Sequence, residues 1–463
     1  MLYKSLIRTT YRCLARFLQL NRRLVNPAFR ILALAAAVPA FALIILARPA
    51  AGAGSPWPVA ETISWVPGTE HISFENLEGM MLVTATARGA NGHDTTGLFV
   101  FDTGAGYLAL DADLAIRIGI ADSASARDAV DLAERPLPRI TLGDWALDQV
   151  EPVLTIVTDP VRQATDRPVL GLMGQKPLQD RAIWIDYRLG RMALIPAGSD
   201  VSDSADPPAS ARLLRGVLSQ RATPVPFRLV GDGKVIVRAR ITGPQRFGRT
   251  AWLTLIVDTG SSKCVLFESA LDSFVEVRDW PALRGLVAPT LIGTGDARLV
   301  RARAIELQGA KVSSTPGVDV AILRSRLGEV LERSTGEPIH GLLGYSFLKR
   351  FRVVLDYPHR VLWLDPIPGY RDDRPFEHSH VGIQLERRGG LPQVVAVAEG
   401  SPAAQAGIEP GDAIVAVNGA LAQATDVVTI ARLMEGRPGS SVTLTLRRGD
   451  LERIYRLRRR RFL

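Results

Sequence analysis

Short runs of β-branched and aromatic residues, separated by glycine-containing turns, dominate the chain after residue 60. Runs such as Leu98–Phe101 and Leu255–Val257 are too short for helices and have the composition of buried strands. Turn signals lie between such runs, for example an Asn-Gly pair ending at Gly92 and a Gly-Asp-Gly ending at Gly233, and each predicts a β-hairpin. The pattern therefore predicts mainly β structure over residues 60–367.

One arrangement of motifs occurs twice in this β-rich region. Gly-Leu-Met-Gly at residues 171–174 corresponds to Gly-Leu-Leu-Gly at residues 341–344. In both copies an Asp-Tyr pair follows at the same spacing, beginning at Asp186 and at Asp356. Upstream of each, an apolar run leads into Asp-Thr-Gly. The repeat predicts two tandem β lobes in one chain.

Shifts in composition divide the rest of the chain. Stretches rich in proline, serine, aspartate and alanine are typical of stalks and linkers. The predicted organisation is a basic leader at 1–30, an apolar segment at 31–47, a stalk at 48–59, a first β lobe at 60–196, a linker at 197–210, a second β lobe at 211–367, a linker at 368–380 and a small α+β domain at 381–460.

The apolar segment at 31–47 has no charged residue and reaches the lower length limit for crossing a bilayer. Seven basic and no acidic residues precede it, whereas Arg48 alone follows closely. The positive-inside rule then keeps the N-terminus in the cytoplasm. We expect a single-pass inner-membrane protein with its remainder on the periplasmic, extracytoplasmic side. A cleaved signal peptide is the alternative, because Ala51-Gly52-Ala53 is a suitable cleavage site.

The net charge of +9 is concentrated at the two ends of the chain. Basic ends beside an apolar segment fit a membrane surface, so a membrane partner is expected and a nucleic-acid partner is not. The six histidines form no His-Glu-x-x-His pair, and the chain has neither a Walker loop nor a Gly-x-Ser-x-Gly elbow. We therefore expect no metal and no cofactor. Cys264 is expected to be a small core residue.

The two Asp-Thr-Gly loops carry the candidate chemistry. Two carboxyl groups held close together share one proton, so the ionised one can take a proton from water while the other donates to a carbonyl. Asp102 and Asp258 are the predicted catalytic pair. The residues expected to support them are Thr103, Gly104 and Ala105 in the first loop and Thr259, Gly260 and Ser261 in the second. The alternative is that either aspartate is only a turn residue at a strand end.

Both loops, each with its later Gly-Leu-x-Gly, resemble the retropepsin-like and pepsin-like aspartic peptidases. The resemblance implies one catalytic aspartate from each lobe and a glycine-rich flap over the substrate. Gly293, Thr294 and Gly295 form the candidate flap. The resemblance leaves open whether the aspartate pair forms within one chain or between two chains.

The loops differ at the residue that follows each Asp-Thr-Gly, which is Ala105 in the first and Ser261 in the second. A serine hydroxyl can donate a hydrogen bond to a carboxylate. We therefore expect Ser261 to favour ionised Asp258 and to leave the shared proton on Asp102.

The C-terminal domain resembles the PDZ domains of bacterial exported proteases through Ser-Pro-Ala at 401–403, Ala-Gly at 406–407 and Gly-Asp-Ala-Ile at 411–414. The resemblance implies that a peptide C-terminus or an internal strand is added to the sheet. Its candidate peptide-binding residues are Val381, Gly382 and Ile383, with an amphipathic stretch at 426–434 as the other wall. The alternative is a packing module without a ligand.

Together these features predict an exported, membrane-anchored aspartic endopeptidase. It would cleave extracytoplasmic proteins or peptides by a two-aspartate, water-activating mechanism and recognise peptides through its PDZ domain. The alternative is a catalytically silent PDZ scaffold or peptide-binding protein with vestigial protease lobes. The presence of both aspartates favours the enzyme.

Overall fold

The structure is a computed structural model that describes residues 70–122, 130–196, 214, 217–244, 248–271, 280–290, 293–310, 317–372 and 374–463. Within these ranges, no helix is both long and apolar enough to cross a bilayer. The predicted single-pass inner-membrane location has no support within these ranges. The predicted leader, apolar segment, stalk and first linker lie outside the described residues.

Strands with two short helices and one 3-10 turn make up the first half of the described chain. In β2, which is Met80–Arg88, buried and more exposed residues alternate over its C-terminal half, as expected for a strand with one face on the core. The other elements are β1 Glu70–Leu77, β3 Asp94–Asp102, β4 Leu108–Asp111, α1 Ala112–Arg117, β5 Val130–Leu132, β6 Leu137–Leu142, β7 Trp145–Val150, β8 Val153–Ile156, α2 Asp159–Thr165, β9 Val169–Gly174, a 3-10 turn at Lys176–Leu178, β10 Arg181–Asp186 and β11 Arg191–Pro196.

The second half contains a similar series of elements. They are β12 Thr223–Pro226, β13 Arg228–Val230, β14 Lys234–Thr242, β15 Leu253–Val257, β16 Cys264–Phe267, a 3-10 turn at Glu268–Leu271, β17 Leu283–Thr290, β18 Gly293–Ala302, β19 Ala304–Leu307, β20 Val318–Arg324, α3 Leu327–Thr335, β21 Gly341–Leu343, α4 Tyr345–Leu348, β22 Phe351–Asp356 and β23 Val361–Pro366.

The C-terminal domain is small and has its own core around Ile414, Val417 and Leu444. The amphipathic stretch predicted at 426–434 is a helix there. The elements are β24 Ser379–His380, β25 Ile383–Arg387, β26 Pro392–Val397, α5 Pro402–Gln405, β27 Ala413–Val417, β28 Ala420–Leu421, a 3-10 turn at Ala422–Ala424, α6 Val427–Leu433, β29 Ser441–Arg448, β30 Leu451–Arg458 and β31 Arg460–Arg461. The expectation of a mainly β protein with a small α+β C-terminal domain is confirmed.

The repeated motifs have the same structural role in both halves. The strand that leads to Asp102, β3, runs parallel to β9, and β15 likewise runs parallel to β21. A Cβ atom at Gly171 would lie 2.2 Å from the carbonyl oxygen of Ala109, and one at Gly341 would lie 1.9 Å from that of Val265. Each Gly-Leu-x-Gly therefore supplies a strand that lacks a side chain where a neighbouring backbone crosses it.

The two halves share one sheet. Strands β10 and β22 pair antiparallel, with Ile183 opposite Leu355, and this joins the order β12-β23-β22-β10-β11-β1-β2-β3-β9-β4-β8-β5. A second sheet of nine strands has the main order β13-β14-β15-β21-β16-β20-β18-β17. One hydrophobic core runs through both halves and includes Cys264, which is 1% exposed, as expected for a core residue.

Candidate functional site

The loops after β3 and β15 meet and bind each other through two buried threonines. The backbone N–H of Thr103 donates to Thr259 Oγ1 at 3.1 Å, and the N–H of Thr259 donates to Thr103 Oγ1 at the same distance. Each hydroxyl then donates to a carbonyl of the opposite strand, Thr103 to Val257 at 2.8 Å and Thr259 to Phe101 at 2.9 Å. This interlock is symmetric, and it forms within one chain.

The interlock brings the side chains of Asp102 and Asp258 into hydrogen-bond contact. Backbone N–H groups hold one oxygen of each: Gly104 donates to Asp102 Oδ1 at 2.7 Å, and Gly260 donates to Asp258 Oδ1 at 2.8 Å. Ala105 adds a third N–H, 3.2 Å from Asp102 Oδ1. The structure thus assembles all the residues predicted around the pair, while their catalytic role stays a prediction.

Glycine is needed in both loops because each carboxyl group lies against the opposing glycine. A Cβ atom at Gly104 would come within 2.7 Å of Asp258 Cγ, and one at Gly260 within 2.6 Å of Asp102 Cγ. Any side chain at either position would push the two carboxyl groups apart.

Burial raises the pKa of both carboxyl groups, and the rise is larger for Asp258. Asp258 faces the negative charge of Asp102, which raises its pKa further. For Asp102, the hydrogen bond from Asp258, the backbone N–H groups and the charge of Lys234 oppose the effect of burial. The two buried carboxyl groups therefore share a proton, and the pair titrates as a unit.

Ser261 does not donate to Asp258 as expected, because its hydroxyl donates to the carbonyl oxygen of Lys263 at 2.8 Å. Lys234, which the sequence reasoning missed, is 5% exposed and pairs with Asp232. A lysine at the start of the otherwise apolar run 234–237 was the available signal.

The candidate flap residues Gly293, Thr294 and Gly295 begin β18 and pair with the end of β17 in a hairpin. Residues 291–292 at its tip lie outside the described part of the chain. Strand β17 contacts the C-terminal domain, where the N–H of Val287 donates to Gln384 Oε1 at 2.8 Å and Gln384 Nε2 donates to the carbonyl of Val287 at 3.0 Å. The role of the hairpin as a flap stays a prediction.

The candidate peptide-binding residues of the C-terminal domain are largely internal. Val381 is 0% exposed and Ile383 is 8% exposed. The N–H of Gly382 donates to Nδ1 of His380 at 2.9 Å. Burial lowers the pKa of His380 to about 4, so its ring is neutral at physiological pH and can accept this bond. In this state the N–H of Gly382 is not available to a peptide carboxylate, and the predicted role stays untested.

Asp319, Glu377 and His378 bring metal-ligand atoms within 4.8 Å of one another. Basic side chains neutralise this cluster: Lys263 binds Glu377, and Arg301 lies 3.1 Å from Asp319. The cluster is an ion-pair network.

Residues 393–448 match the family model for the PDZ domain. The C-terminal domain contains a PDZ domain. The chain is similar to the carboxy-terminal processing protease CtpA of Bacillus subtilis, with 36% identity over 74 residues, or 16% of each protein. A probable CtpA-like serine protease of Staphylococcus saprophyticus is 30% identical over 80 residues, or 17% of this chain and 16% of that protein. The chain thus spans about a sixth of the length of these curated relatives.

Two solved structures give low similarity scores. An aspartic proteinase from Irpex lacteus aligns with 65% of this chain and 98% of its own, at 13% identity and a TM-score of 0.37. The PDZ domain of a carboxy-terminal protease from Vibrio cholerae, solved with a peptide, aligns with 18% of this chain and 93% of its own, at 20% identity and a TM-score of 0.17. Neither score supports an argument about fold.

The comparisons contradict the predicted exported, membrane-anchored aspartic endopeptidase, because the curated relatives are named as CtpA-like serine proteases. The alternative of a catalytically silent PDZ scaffold is not favoured either. The predicted resemblance is confirmed for the PDZ domain, and the relatives suggest a protease in the broad sense.

Proposed function

We propose that the chain is a PDZ-containing protease and that its reacting groups are the carboxyl groups of Asp102 and Asp258. One observation carries the choice of residues: the threonine interlock holds two buried carboxyl groups in hydrogen-bond contact with one proton to share. The similarity of the chain to a carboxy-terminal processing protease supports hydrolysis of polypeptides.

The surroundings of the pair support the choice of these two residues. Asp102 accepts hydrogen bonds from the backbone N–H groups of Gly104 and Ala105 and lies near the positive charge of Lys234. The interlock fixes the separation of the two carboxyl groups.

The relatives' names indicate a serine nucleophile in those proteins, and that chemistry needs a serine hydroxyl beside a base. Several serines lie near the paired loops in this chain, among them Ser261, Ser262 and Ser346. Ser261 donates to the carbonyl of Lys263, and Ser346 donates to the carbonyl of Asp319 at 2.6 Å. Because both hydroxyls donate to backbone carbonyls, neither supports a nucleophile at this place.

The test is digestion of unfolded casein by the purified full chain. Asp102→Asn and Asp258→Asn should each abolish cleavage, because either change removes the shared proton or its acceptor. Asp180→Asn is the matched control: it makes the same chemical change at an exposed pair with Arg181 and should leave cleavage intact. Undiminished cleavage by either variant of the pair, or complete inhibition by a serine-reactive fluorophosphonate, would refute the assignment.

A further inference from the structure

The PDZ groove has two walls, strand β25 and helix α6. Strand β25 ends the six-stranded sheet, whose main order is β25-β26-β27-β29-β30, so one of its edges has no strand partner within that sheet. PDZ domains add a peptide along such an edge, beside the facing helix. What lies against these walls decides whether a peptide can enter.

Helix α2 of the first half contacts both walls. Its Val161 packs in one hydrophobic cluster with Leu385 of β25 and with Val427 and Val428 of α6. Val427 is 1% exposed and Val428 is 8% exposed, so the first turn of α6 is covered. The apolar surface that a peptide side chain would occupy is therefore already in contact with this chain.

Asp166, which ends helix α2, supplies a carboxylate to the same groove. Both of its oxygens accept from Arg387 Nε of β25 at 2.8 Å, and one accepts from the N–H of Val427 at 2.6 Å. Arg387 is fixed from the other side, because it also donates to the carbonyl of Thr425 at 2.6 Å. One carboxylate thus bridges the strand wall and the helix wall, on the same segment as Val161, which packs against both walls in one hydrophobic cluster.

A second contact holds the C-terminal end of α6 to the same half of the chain. Glu78, in the turn between β1 and β2, lies 2.7 Å from Arg432 of α6 and also pairs with Arg374. Both ends of the helix are therefore attached to the first half, the N-terminal end by a hydrogen bond to Asp166 and the C-terminal end by an ion pair with Glu78.

We propose that residues Asp159–Asp166 are the resident ligand of the PDZ groove, so that an external peptide binds only after this segment has left. A segment of the same chain has an effective concentration of about millimolar or higher, because it needs no encounter. The apparent affinity for an external peptide is then reduced in proportion to the fraction of molecules with an open groove.

The test uses a fluorescein-labelled peptide with the sequence of residues 157–168 and fluorescence anisotropy with the full chain. Val161→Asp and Asp166→Ala each weaken the resident segment without altering a groove wall. Both variants should bind the labelled peptide about tenfold or more tightly than the wild-type chain, in which the groove is filled. Adding Arg387→Ala to Val161→Asp should abolish that binding, because the carboxylate loses its partner on β25.

Circular dichroism and a cooperative thermal transition establish that each variant is folded, and Asp166→Ala is the milder change if Val161→Asp unfolds the helix. Equal binding by the wild-type chain and a folded variant would overturn the proposal. Absence of binding by both folded variants would overturn it as well. The readout is binding alone, so it does not depend on the proposed reaction.

Discussion

Replacing Thr259 by valine tests the interlock, because valine keeps the shape of threonine and removes only the hydroxyl. The change takes the acceptor away from the N–H of Thr103 and the donor away from the carbonyl of Phe101. Both threonines are 0% exposed, so water cannot replace these bonds. A buried polar group without a partner costs about 1–3 kcal/mol, and two such groups together should lower the free energy of unfolding by about 2–6 kcal/mol.

Urea unfolding followed by tryptophan fluorescence measures this loss. The symmetry adds a stricter expectation: Thr103→Val removes the equivalent pair of bonds and should cost about the same as Thr259→Val. Thr259→Ser, which keeps the hydroxyl, is the matched control and should stay within about 1 kcal/mol of the wild type. A loss below about 0.5 kcal/mol for Thr259→Val would refute the reasoning, as would a large difference between the two valine variants.

Three further predictions concern other parts of the fold. Burial alone raises the pKa of Glu377, but the charges of Lys263 and a neighbouring arginine outweigh it and lower the pKa to about 2. The stabilisation of the folded state by ionised Glu377 is therefore complete above about pH 4.5 and is lost as the pH falls through 2. In urea unfolding, Glu377→Gln should therefore cost about 3 kcal/mol near neutral pH and little at pH 2. Gly341→Ala places a Cβ 1.9 Å from the carbonyl of Val265 and should cost about 3 kcal/mol in thermal unfolding. The pKa of Asp258 is raised by burial and by the opposing carboxylate. Asp258 therefore stabilises the folded state less as the pH rises above the usual pKa of an aspartate. Asp258→Asn should be more stable than the wild type at neutral pH, and this gain should disappear towards about pH 4. A pH-independent difference would contradict the first and third of these predictions, and an unchanged melting temperature would contradict the second.

Local patterns were enough to predict the paired loops and the β-rich character. These features depend only on residues that are close in sequence. They are Asp-Thr-Gly after an apolar run, a glycine turn between strands, and an amphipathic stretch at 426–434. The pairing of β10 with β22 could not be predicted in the same way. Residues 182–186 are buried on both faces, so they show no alternation from which a partner or a register could be read.

The remaining differences depend on side-chain orientation and on tertiary contacts. A sequence shows that Ser261 has a hydroxyl but not the torsion angle that directs it to Lys263. Polar composition gave no indication that Glu377, within the segment predicted as a linker at 368–380, would pair with Lys263. The short polar helix α2 gave no indication that Val161 would lie in the PDZ groove, because that contact exists only after the domains have packed.

The antiparallel pairing of β10 with β22 has a consequence for any gene fragment that encodes only the first half. Translation that stopped after Pro196 would leave one edge of β10 without a neighbour, across Ile183, Trp184 and Ile185. Such an apolar edge presents a row of unpaired peptide groups to any other extended chain, including a second copy of the fragment. Separated halves would therefore be prone to aggregate. The genetic unit that can be inherited or transplanted without this hazard is the pair of lobes together.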